Sequence, residues 1–148
     1  MFRGVAQLSL DNKGRLAVPS RYREALLVRC AGRLVITADY DKCLLVYPQP
    51  DWEPIQQKLM SLSSLNPRIR DLQRQLIGYA EDTDIDAAGR VLVSPALREF
   101  AALEKSAVLV GQGNKFELWD KKNWEQARER SSGFGDGDLP PELEGFSL

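Results

Sequence analysis

The stretch LDNKGRLAV, residues 10–18, sets a carboxylate (Asp11), an amide (Asn12), an ammonium (Lys13) and a guanidinium (Arg15) around Gly14. Aspartate accepts local backbone hydrogen bonds and glycine tolerates positive φ, so a tight turn is expected here. Such a turn would project Lys13 and Arg15 from a rigid base. Duplex DNA rewards that arrangement, because neutralised phosphates supply affinity and donors at base edges supply specificity. Arginine can make two parallel hydrogen bonds to guanine, worth about 1–3 kcal/mol of discrimination. Lys13 offers a point charge, and Asn12 can pair with a base or cap the turn. The alternative for Asp11 and Arg15 is a structural ion pair four residues apart, which contributes little at a surface.

The turn recurs as IDAAGRVLV, residues 85–93, with Ala87 and Ala88 where Asn12 and Lys13 stand. Alanine donates nothing. Asp11, Gly14, Asp86, Gly89 and Arg90 therefore read as shared scaffold, with Arg90 also able to touch a phosphate. Just ahead of the second turn lie Glu81, Asp82, Asp84 and Asp86. They alternate along an expected strand, so the three aspartates would share a face able to bind a divalent cation.

Other chemistry is sparse. The chain has no histidine, so acid–base work would fall to carboxylates, lysine, tyrosine or cysteine. There is no phosphate-cradling glycine loop, nucleophile elbow or zinc motif. Cys30 and Cys43 alone do not make a four-ligand zinc site and read as small apolar fillers. No enzyme activity, metal, cofactor or small-molecule substrate is expected.

The net charge of −1 hides an asymmetry. Residues 1–33 carry seven basic groups against two acidic ones, and residues 80–130 carry eight against ten. The last 18 residues hold four acidic groups and no basic one. Local fields outweigh totals because screening acts within about 8 Å. Arg3, Arg21 and Arg23 would widen the positive surface around Lys13 and Arg15 if they share its face.

These turns must be held by something, and the chain shows what. LDNKGRLAVPSRYREAL (10–26) aligns without gaps to IDAAGRVLVSPALREFA (85–101). Six positions are identical, among them Arg23 with Arg98 and Glu24 with Glu99. Farther on, Lys42, Leu45 and Trp52-Glu53 match Lys115, Leu118 and Trp124-Glu125. The chain is an internal repeat.

Each repeat reads as strand, turn, short strand, short helix, hairpin and helix. VAQLSL (5–10) is the first strand, with Val5, Leu8 and Leu10 only partly in register. Residues 33–38 and 42–47 form one hairpin, and a second turns at Gln112-Gly113-Asn114. Trp52, Ile55, Leu59 and Leu62 make one helical stripe, and Ile69, Leu72 and Leu76 another. Asp120 to Arg130 is a helix with Trp124 and Ala127 inward.

Each half has about 50 residues, too few for a comfortable core of its own. The expected fold is α+β, with two half-modules sharing one pseudo-two-fold, β-barrel-like core flanked by helices. The half-modules span 1–65 and 79–130, joined by a linker helix over 66–78 and followed by a flexible acidic tail over 131–148. Short strands leave edges that must be covered or paired, so a homo-oligomer is expected. No run of about 20 apolar residues and no secretory signal is present, which points to the cytoplasm and away from membranes.

The repeated Asp-x-x-Gly-Arg turn, each copy followed by a Pro-marked helix, resembles the MraZ family. The opening MFRGVAQLSLDNKGRLAVPSRYR is similar to that family's N-terminus, and the resemblance covers about residues 1–130. It implies tandem SpoVT-AbrB-type half-modules assembled into homo-oligomeric rings. It further implies a transcriptional regulator, expected to be a repressor, of the bacterial division and cell-wall gene cluster. Its partner would be double-stranded promoter DNA with short direct repeats, placing it on the nucleoid. The family motif Asp-x-x-x-Arg falls on Asp11 and Arg15, and on Asp86 and Arg90. The candidate DNA-binding residues are Arg3, Asn12, Lys13, Arg15, Arg21 and Arg23. The competing reading is a protein-interaction module such as an AbrB-type antitoxin.

Overall fold

The structure is a computed structural model that describes residues 1–131 and 140–147. Eight strands and five α-helices alternate in two similar series. The first series is β1 (Phe2–Ser9), β2 (Arg15–Ala17), α1 (Ser20–Cys30), β3 (Arg33–Ala38), β4 (Leu44–Pro48) and α2 (Gln49–Met60). After α3 (Pro67–Leu76), the second series is β5 (Glu81–Asp84), β6 (Arg90–Leu92), α4 (Pro95–Phe100), β7 (Ser106–Gly113), β8 (Phe116–Asp120) and α5 (Lys121–Arg130). A single 3-10 turn follows at Pro141–Leu143. The rest of the expected acidic tail lies outside the described residues.

The two series exchange strands. β1 pairs with β7 of the second series, and β5 pairs with β3 of the first. The equivalent strands β4 and β8 pair with each other, as do β2 and β6. The result is one antiparallel six-stranded sheet, ordered β1-β7-β8-β4-β3-β5, and a separate two-stranded ribbon, β2-β6. This corrects the barrel-like expectation. The sheet does not close: β1 and β5 remain as its two edges. The β5 edge is only four residues long and acidic, a composition that discourages pairing with stray strands.

Side chains alternate across the sheet, as the two-residue strand period demands. Leu34, Ile36, Leu44, Val46, Leu109, Phe116 and Leu118 face one way, into a core closed by Leu16 and Val91 of the ribbon and by α1 and α4. Val35, Leu45 and Tyr47 face the other way, against Trp52 and Leu59 of α2 and Leu72 and Leu76 of α3. Val108 and Trp119 meet Trp124 and Ala127 of α5 on that second face. Both faces are covered, which is why apolar residues of the hairpin strands point both ways.

Several local expectations shift. β1 begins at Phe2, three residues before the expected start, because its whole length has a partner in β7. Phe2, Ala6, Leu8 and Leu10 form its inward line, whereas Val5 points out and is 54% exposed. Leu62 lies beyond the end of α2 and is exposed. None of the α3 residues is fully buried. Ser94 caps α4, accepting a hydrogen bond from Leu97 N, and Asp120 caps α5 through Asn123 N. No helix among the described residues is long and apolar enough to cross a membrane.

Candidate nucleic-acid interface

The ribbon β2-β6 carries the two turns at its opposite ends. In the first, Asp11 Oδ1 accepts hydrogen bonds from Lys13 N and Arg15 N, both at 2.9 Å. Asp11 Oδ2 accepts from Arg15 Nε at 2.9 Å, and Gly14 N donates to Asp11 O. In the second, Asp86 Oδ1 accepts from Ala88 N and Arg90 N, and Oδ2 from Arg90 Nε at 3.3 Å. Both glycines need the left-handed conformation, with φ of 84° at Gly14 and 79° at Gly89. The backbone N–H of Arg15, then its side chain, holds the Asp11 carboxyl below the usual aspartate range. Arg90 N–H acts likewise on Asp86.

The structural ion pair and the outward donor are therefore one arrangement. Of the guanidinium's donors, Asp11 takes only the Nε–H. An arginine has five N–H donors in a fixed fork, so the terminal nitrogens remain for a ligand while the carboxylate fixes the plane. The Arg15 side chain is 30% exposed.

Ribbon register decides which side chains face out. Arg15 pairs with Leu92 and Ala17 with Arg90, and paired residues share a face. Leu16 and Val91 take the inner face and are buried. Arg15, Ala17, Arg90 and Leu92 take the outer one. Arg15 and Arg90 are diagonal neighbours there, roughly 7–8 Å apart along the backbone. Asn12 and Lys13 stand exposed at the first turn, with no hydrogen-bonding or ionic side-chain partner among the described residues. The major groove of B-DNA admits a two-stranded ribbon.

The other cations do not all gather at this turn. Arg3 lies near the far end of β1, about 25 Å from Asp11 at the rise of an extended strand. Its neighbours in register place it on the sheet face that packs α5, away from the ribbon. Arg21 lies on the opposite sheet face, stacked on Tyr22 and close to Gly4. Arg23 belongs to the second turn: its Nε donates to Val18 O at 2.8 Å and its guanidinium lies against Gly89. Arg98, absent from the sequence candidates, holds the corresponding place against Gly14 and donates from Nε to Val93 O at 3.0 Å. The repeat alignment carried the signal, since it matches Arg23 with Arg98.

The acidic strand does not assemble a cation site. Asp84 sits opposite Arg33 in the sheet, and Glu81 accepts a hydrogen bond from Ser94. The one group of three potential ligands among the described residues is Asp39, Cys43 and Glu117, within 4.8 Å of one another. Burial, helped by Glu117 and Asp39, pushes the Cys43 thiol up. Its S–H donates weakly to Asp39. Cys30 and Cys43 are both buried and free.

Known sequences decide the family. The pattern described as "MraZ protein, putative antitoxin-like" matches residues 1–75 and again residues 76–135. The chain belongs to the MraZ family. It is 63% identical to the transcriptional regulator MraZ of Nitrosospira multiformis over the full length of both chains. Full-length identity is 57% to the Nitrosomonas europaea protein and 59% to the Thiobacillus denitrificans protein, each likewise named transcriptional regulator MraZ. The family is one of regulators, not of enzymes.

Proposed function

We propose that the chain is a DNA-binding transcriptional regulator that grips promoter DNA through the first Asp-x-x-Gly-Arg turn. The supporting observation is the outer face of the ribbon, where Asp11 orients Arg15 and leaves Lys13 and Asn12 exposed beside it. Arg15 and Asn12 read base edges, and Lys13 neutralises phosphate. Asp11, Gly14, Asp86, Gly89 and Arg90 form the scaffold. Arg3 and Arg21 lie apart and act, if the duplex is long enough, as outlying phosphate contacts.

The finer reading follows the family. The chain represses the bacterial division and cell-wall gene cluster from the nucleoid, as a ring whose repeated turns meet short direct repeats. Linked sites raise effective concentration, so a ring of individually weak turns favours repeated operators. The strand exchange agrees with two SpoVT-AbrB-type half-modules over 1–65 and 79–130, with 66–78 as linker. Selection of bound duplexes from random DNA tests the whole reading, with repeated sites as the expected outcome. Anisotropy with Lys13→Ala and Arg15→Ala tests the turn, and unchanged affinity in both would remove it.

The antitoxin-like character given to the family supports a second reading, a module that holds a protein partner. A pull-down free of nucleic acid separates the two: a stoichiometric protein partner without DNA binding would favour it.

A further inference from the structure

The pseudo-two-fold strand exchange puts an arginine from each half beneath the turn of the other. Arg98, on α4, lies so close to Gly14 that a Cβ there would come within 2.5 Å of its Nε and 2.9 Å of Val93 O. Gly14 is thus required twice, by its positive φ and by the guanidinium packed on it. Arg98 Nε is committed to Val93 O. Its terminal nitrogens make no hydrogen bond or ion pair among the described residues. Gln75 Nε2 is the one buried side-chain nitrogen or oxygen there without a partner, so the unbonded ends of Arg98 reach the surface. Those ends present planar N–H donors at the surface beside the first turn, open to an anion.

We propose that Arg98 is a phosphate-contacting residue of the first turn, supplied by the second half of the chain. This rests on the reading that the first turn faces DNA. Its anion site then comprises Lys13, Arg15 and Arg98, with Asp11 holding Arg15. Arg23 makes the same two contacts at the second turn, to Val18 O and Gly89, and serves as a built-in structural control. A fall in melting temperature from loosening a turn appears in both variants, while the salt slope separates a lost phosphate contact from a loosened first turn.

The test measures anisotropy of a labelled 30-base-pair duplex of mixed sequence against the full chain, over a salt series. Variants are Arg98→Ala, Arg98→Lys, Arg23→Ala and Lys13→Ala, each with a thermal melt. Losing one phosphate contact lowers the log-affinity against log-salt slope by about 0.9, which is about eightfold at 0.1 M salt counted down from 1 M. Arg98→Ala is expected to show this loss for each engaged copy. Arg98→Lys, which keeps the charge without the planar contact, should retain the slope while melting lower. Arg23→Ala should melt like Arg98→Ala and bind nearly as the parent does. Equal binding losses in Arg98→Ala and Arg23→Ala, or an unchanged slope in Arg98→Ala, overturn the proposal. Lys13→Ala reports separately on the first turn: a loss there with none in Arg98→Ala sinks this inference alone.

Discussion

The two turns of the ribbon differ in their surroundings far more than in their backbone. Each has an aspartate that accepts two backbone N–H groups, a glycine at positive φ, and an arginine tied through Nε. Around the first stand Asn12 and Lys13, and the strand that leads into it ends in neutral residues, Gln7 to Leu10. Around the second stand Ala87 and Ala88, and its lead-in strand is Glu81-Asp82-Thr83-Asp84. A duplicated backbone thus holds two different electrostatic faces. The difference teaches that one short motif can keep Asp, Gly and Arg for the turn itself while the two residues between Asp and Gly change its charge.

That contrast breaks most sharply if the first turn is converted into the second. Asn12→Ala with Lys13→Ala should cost about 10- to 100-fold in affinity for selected duplexes, the size of one or two lost base or phosphate contacts. Binding within twofold of the parent would mean that the exposed pair does not set the difference. Next comes the shared scaffold. Gly14→Ala and Gly89→Ala should each destabilise by roughly 1–3 kcal/mol in urea unfolding, since both force a Cβ into the left-handed region. Unequal losses would show that the two turns are not structural equivalents.

A smaller effect lies in the acid range. Both aspartates have pKa values lowered by folding, so the stability they confer is fully present above the unfolded value of about 3.9. It is lost as pH falls through the lower folded values. Asp11→Asn and Asp86→Asn should each flatten the low-pH fall in melting temperature, and by similar amounts. A fall left as steep as the parent's would contradict the ion-pair geometry. The smallest change expected is a gain: Ala88→Lys should raise duplex affinity by less than about threefold, because an exposed lysine near Asp82 and Asp84 is worth only tenths of a kcal/mol. A gain as large as the first turn's loss would mean that the acidic lead-in strand does not matter.

Much of the fold was legible because it rests on local rules. The hairpins followed from apolar runs interrupted by turn residues, and the short helices α1 and α4 from the prolines that mark them. Helix α2 was placed by its Trp52–Ile55–Leu59 stripe. Val5 misled because an apolar residue in an edge strand is free to face outward, and periodicity over six residues does not say which side is covered. The barrel expectation failed for a related reason: closure depends on how strands curve and register across the whole sheet, which no segment encodes alone.

The sequence by itself determined the duplication, the backbone of both turns, and the contrast between Asn12-Lys13 and Ala87-Ala88. All three depend on residues a few positions apart, where sequence order and spatial neighbourhood coincide. Only the tertiary structure decided which cations share a turn. Arg23 follows the first turn in the chain but lies at the second, Arg98 does the reverse, and Arg3 sits a strand's length away on the other sheet face. The physical reason is strand exchange. Pairing β2 with β6 in antiparallel register brings the helix start of each half against the glycine of the other, so equivalence in the alignment marks partners across the pseudo-two-fold and not neighbours along the chain.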